Sequence, residues 1–131
     1  MNRYTVILLL SFLLSSCHNP FANDDDREYI LSVGQLVLPD SAYVFQPMKI
    51  KVEVTLIASN HSYVGPILET TSNGYRVTII GKEKDVGDMK IQPVVWNEWH
   101  SFNLIPFRNG QVVVEGVRTN TENIVDSVYV E

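Results

Sequence analysis

The clearest periodicity in the chain runs from Met48 to Leu56, where Met48, Ile50, Val52, Val54 and Leu56 alternate with Lys49, Lys51, Glu53 and Thr55. That spacing places five apolar side chains on one face of an extended strand and the charged ones on the other, as in a sheet packed on one side only. A helix would scatter the same five around its circumference. Shorter stretches of similar character flank it. Tyr29 to Leu38 predicts a first strand, with Gly34 marking a bulge. Pro39-Asp40-Ser41 turns the chain, and Gln46-Pro47 leads into the Met48–Leu56 strand. Ala58 to Pro66, which carries His61, Tyr63 and Gly65, reads as a polar loop. Ile67 to Thr71 and Tyr75 to Gly81 flank Asn73-Gly74, a pair that readily takes positive φ in a tight hairpin turn.

Lys82 to Lys90 reads as a charged loop around Gly87. Met89 to Val95 predicts an edge strand, because Pro93 cannot donate to a ladder. Trp96 to His100 then reads as a short connection, followed by a strand over Phe102 to Phe107 with Pro106 inside it. Asn109-Gly110 predicts a second hairpin turn into Gln111 to Val117, and Ile124 to Val130 is a last strand. Turn signals recur roughly every 8–12 residues and no stretch has a helical period, which points to an all-β antiparallel sandwich of about seven to eight strands. Its architecture is similar to that of immunoglobulin-like or fibronectin-III-like domains, with a small barrel as the second choice. The paired cysteines of true immunoglobulin domains are absent, so the likeness carries no function.

The N-terminus has a different pattern. Asn2 and Arg3 give a short positive start, and Tyr4 to Leu14 a run of mostly apolar residues of signal-peptide length. A membrane-spanning helix needs about twenty. The run ends in Leu14-Ser15-Ser16-Cys17, which resembles the lipobox of bacterial lipoproteins. The resemblance implies that residues 1–16 are removed by a type II signal peptidase and that Cys17 is diacylated and becomes the mature N-terminus. Two or more acyl chains anchor a protein stably where one holds it only marginally. An ordinary secretory signal that leaves Cys17 free is the plainer alternative. His18 stands where an Asp would resemble the inner-membrane retention signal, so the expected place is the cell envelope, at the outer rather than the inner membrane. Residues 17–27, with Asp24-Asp25-Asp26, read as an acidic tether that anionic headgroups would repel. Acidic residues here also resemble, loosely, the surface-export signals of some bacterial lipoproteins. Residues 28–131 are left for the sandwich.

Charge narrows the partners. The mature chain would carry nine basic and fifteen acidic side chains, a net of −6, which argues against nucleic acid and against a basic patch on anionic lipid. Cys17 is the only cysteine, which leaves neither a disulfide nor a cysteine-based zinc site, and apolar burial must stabilise the domain.

Candidate chemistry is sparse. Neither a Gly-x-Ser-x-Gly nucleophile motif nor a phosphate loop is present, and Gly81-Lys82 lacks the upstream glycine. His18, His61 and His100 have no ligand spacing, and Asp85-Val86-Gly87-Asp88 lacks the order of a calcium loop and is crowded by Lys82, Lys84 and Lys90. No catalytic residue, metal ligand or cofactor is therefore expected. One aromatic cluster remains: Trp96, Trp99 and His100, with Tyr63 as a further member. Such rings stack on sugars while groups like Asn97 and Glu98 bind hydroxyls. The favoured account is packing, with one Trp in the sandwich core and the other over a hairpin, and a short connection would put the two indoles on different sides. The sequence thus predicts a membrane-anchored, non-catalytic binding or structural module with an envelope protein as partner. The alternative is an accessory glycan-binding module that uses Trp96 to His100.

Overall fold

The computed structural model describes residues 26–131; Leu14 to Cys17 and all but the last residue of the Asp24–Asp26 triplet lie outside the described residues. The described chain is an all-β sandwich of nine strands. They are β1 (Arg27–Leu31), β2 (Val33–Val37), β3 (Ser41–Ala42), β4 (Met48–Leu56), β5 (His61–Thr70), β6 (Gly74–Glu83), β7 (Trp96–Leu104), β8 (Gly110–Gly116) and β9 (Ile124–Val130). One sheet is β2-β4-β7. In the other, β5 runs along one edge of β6, while β1 and β8 share the opposite edge; β9 and then β3 follow β8.

The core lies between the sheets and is built from the alternation seen in sequence. Ile50, Val52, Val54 and Leu56 of β4 face Val77 and Ile79 of β6, Val112 and Val114 of β8, and Val128 and Val130 of β9 across the core, all essentially inaccessible to solvent. Lys49 and Lys51 stay in water. Tyr75 joins the core and satisfies its hydroxyl locally, donating to the Ile105 carbonyl at 3.3 Å and accepting from the Phe107 N–H at 3.2 Å.

Several expectations are corrected. The first strand is two: the chain breaks at Ser32, so that β1 pairs with β6 in one sheet and β2 with β4 in the other. The bulge near Gly34 is present, between Val33 and Gln35. The stretch from His61 to Pro66, read as loop, is the first half of β5. It is an edge strand with its own bulge between Tyr63 and Gly65, and one free edge tolerates glycine and proline. Met89 to Val95 is not a strand; Met89 and Val95 are exposed and Pro93 interrupts any ladder. The sheets are not purely antiparallel, because β6–β8 and β3–β9 pair in parallel.

The two Asn-Gly pairs also act differently from expectation. Asn73-Gly74 does connect the β5–β6 hairpin, but Gly74 does not have positive φ. It is needed because a Cβ there would lie 1.7 Å from the Val113 carbonyl oxygen of β8. Gly110 does take positive φ, 93°, yet it carries the chain from β7 in one sheet to β8 in the other, so no hairpin forms there.

Candidate functional site

Trp96, Trp99 and His100 all lie on β7, which is a nine-residue strand rather than a connection followed by a strand. β7 pairs with β4 in unbroken antiparallel register from Leu56↔Trp96 to Met48↔Leu104. Side chains alternate faces along a strand, so Trp96, Glu98, His100, Phe102 and Leu104 point toward the other sheet. Asn97, Trp99, Ser101 and Asn103 point outward. The two indoles, three positions apart, are on opposite faces. Strand alternation, not a connecting turn, separates them.

The inward group closes on itself. The Trp96 indole N–H donates to Glu98 Oε1 at 2.8 Å, and His100 Nε2 lies 2.9 Å from Glu98 Oε2. Those hydrogen bonds, Trp96 first and His100 next, hold the Glu98 carboxyl below its ordinary pKa against partial desolvation. With the carboxylate ionised, Nε2 of His100 carries the proton in this bond. Tyr63 of β5 stacks flat on His100, with ring centroids 3.6 Å apart and planes 5° apart, and burial raises the Tyr63 phenol. Tyr63 thus joins the cluster as expected, by bridging the edge strands of the two sheets. Beside it, Tyr29 and His61 pack at 4.7 Å. Desolvation, with Glu83 second, raises the Tyr29 phenol.

This geometry is a clamp. Glu98 and His100 resemble the base and orienting member of a triad in spacing only. Tyr63 covers the imidazole face, not its edge, which is where a hydrogen-bonded nucleophile would have to lie. No group of three or more His, Cys, Asp or Glu side chains suits a metal among the described residues. His61 and His100 belong to separate contacts. Asp85 accepts from the Gly87 N–H at 2.8 Å, forming a loop turn.

The outward group is different. Trp99 is 51% exposed and has Glu53 directly opposite it on β4, with Thr55↔Asn97 and Lys51↔Ser101 on either side. The Thr55 hydroxyl donates to the Asn97 amide oxygen at 3.0 Å. Trp99 is therefore an exposed ring flanked by Asn97, Ser101 and Glu53 on the outer face of this sheet. A mixed-charge cleft of about 460 Å³, lined by Arg27, Asn60, Glu83, Lys84 and Asp85, includes none of the three predicted residues. Three comparisons, with family models, with curated proteins and with solved structures, return no match.

The sequence offered Glu98 as a hydroxyl-binding group only within the glycan alternative and did not show that its partners are Trp96 and His100. The i, i+2 spacing of the three was a usable signal once the segment is read as a strand. Nothing in the sequence marked Thr55 as the partner of Asn97; that pairing follows from the β4–β7 register.

Proposed function

We propose that this chain is a bacterial lipoprotein, acylated at Cys17 and held in the cell envelope at the outer membrane, whose sandwich is a non-catalytic module that docks a protein. The anchor rests on Leu14-Ser15-Ser16-Cys17 and the apolar run before it. The docking role rests on one observation: a half-exposed Trp99 on β7, the last strand of its sheet. Tryptophan is a frequent anchor of protein interfaces, and a strand with an open edge can add main-chain hydrogen bonds to a partner. Acidic charge opposes nucleic acid.

A second reading, a glycan module, is favoured by the setting of Trp99. Its ring can stack on a sugar face, with Asn97, Ser101 and Glu53 placed around it for hydroxyls. Trp96 and His100 are turned inward and lie off the outer face that Trp99 presents in both readings. The test is a crosslinking pull-down from native membranes with wild type and Trp99→Ala, alongside acrylamide quenching with a panel of oligosaccharides. Protein docking predicts an adduct that Trp99→Ala removes and no protection by sugar. Saturable protection of Trp99 by one sugar, without a protein adduct, would establish the glycan reading instead.

A further inference from the structure

The free sheet edges of this sandwich are not treated alike. An open edge invites pairing with another chain, and proteins blunt it with bulges, proline, short length or covering groups. β5 has a bulge at Tyr63/Gly65 and Pro66, which lacks an N–H. β3 is two residues long. β2 has a bulge, and Arg118 covers it: Nε donates to the Val33 carbonyl at 3.0 Å and a terminal nitrogen to the Gly34 carbonyl at 2.9 Å, while the Val33 N–H bonds the Val117 carbonyl. β1 is five residues long and has the loop at Thr119–Thr121 beside it. β7 carries one inward charge, Glu98, which Trp96 and His100 of the same strand satisfy, and otherwise has none of these devices. It runs nine residues without proline, lysine or bulge, and its outer edge has no backbone partner among the described residues.

β7 is also complementary to itself. Two copies of the strand placed antiparallel about a two-fold axis at Trp99 bring the two indoles face to face. Glu98 then lies opposite the second copy's His100, Asn97 opposite its Ser101, and Trp96 opposite its Phe102. Opposite charges and aromatic pairs directly across a ladder are stabilising, and like charges are destabilising. Centring the axis one residue earlier sets Glu98 against Glu98, and one residue later sets His100 against His100. Of these three registers, only the one centred on Trp99 sets Glu98 against a hydrogen-bond donor, the imidazole of His100. The exposed Trp99 ring, otherwise a liability on the outer face, becomes covered.

We infer that β7 pairs with β7 of a second copy of this chain, joining the two three-stranded sheets into one six-stranded sheet with Trp99 on the axis. The pairing is isologous and closes at two copies. It deepens the docking reading above, and rests on it, by naming the protein that fits the edge.

The register makes a crosslink prediction. Asn97 and Ser101 of different copies sit opposite each other, about 5 Å apart between Cα atoms, within disulfide range. Within one strand they are four residues apart, about 13 Å, and cannot be bridged. The whole chain in detergent, carrying Asn97→Cys and Ser101→Cys together, should form a disulfide-linked species of twice the chain mass under mild oxidation. Either substitution alone should stay at the background of the parent, which has only Cys17. Trp99→Lys, which sets lysine against lysine on the axis, should raise the dissociation constant of the dimer about tenfold or more in sedimentation velocity. A parent chain that sediments as a monomer at every concentration reached, or single variants that crosslink as strongly as the double, overturns the inference. If that parent still captures a different envelope protein through Trp99, self-pairing alone has failed. If it captures none, the docking reading falls with it.

Discussion

Replacing Val52 by aspartate tests the register on which both faces of β7 depend. Val52 is fully buried at the middle of β4, paired with Leu36 of β2 and His100 of β7, with Ile50 and Val54 on the same face. Val52→Asp removes a buried side chain with a burial free energy of about 1.5–3 kcal/mol and leaves a carboxylate without a partner in an apolar layer, a further several kcal/mol. The sum approaches the roughly 5–15 kcal/mol that stabilises a whole domain. At about 4–8 °C per kcal/mol for a domain of this size, the melting point should fall by more than about 15 °C, or the cooperative transition should vanish. Lys51 is one residue away on the solvent face, opposite Val37 and Ser101. Lys51→Asp stays in water and should change stability by less than about 1 kcal/mol. The assay is thermal unfolding of both variants followed by far-ultraviolet circular dichroism. Equal melting points would refute the assignment of inner and outer faces.

Three further outcomes are expected. Glu98 has its folded-state pKa depressed by the Trp96 and His100 hydrogen bonds, so its contribution is present above the ordinary carboxylate pKa and is lost as pH falls through the depressed value; Glu98→Gln should flatten that acid limb in melting points measured against pH. Trp96→Ala should destabilise by about 2–4 kcal/mol, because it opens part of the core and removes the indole bond to Glu98, whereas Trp99→Ala should cost under about 1 kcal/mol. Denaturant midpoints check the pair, and at protein concentrations low enough to keep the chain monomeric acrylamide should quench Trp99 much more readily than Trp96. Cys17→Ser should release the chain from the membrane fraction, and fractionation as complete as wild type would contradict the anchor.

The sequence was most legible where one face was wholly or mostly apolar. Met48–Leu56 and Ile124–Val130 are strands with the bounds read from the pattern. β5 and β7 were misread for the same physical reason. Each is an edge strand with inward positions at the margin of the core, where Tyr63, Glu98 and His100 meet one another and are only partly buried. Apolar alternation fades there, and His61 to Pro66 looked like loop. Met89 to Val95 was the opposite error: apolar residues in sufficient number, but exposed and without a neighbouring strand. Gly74 shows how a correct turn can have an unforeseen cause, since its partner Val113 lies 39 residues away on a parallel strand. The candidate site was found as a segment and not as a geometry. Only the register separates inward Trp96 and His100 from outward Trp99.

The most direct test of β7 as a docking surface is photo-crosslinking from position 99 of the full, anchored chain in intact cells. Val125, similarly exposed on the outer face of the other sheet, serves as the control position. The account predicts a discrete protein adduct from a photoreactive residue at 99, at twice the chain mass if the partner is a second copy, and only background from 125. Equal yields from both positions, or no adduct from either, would contradict it.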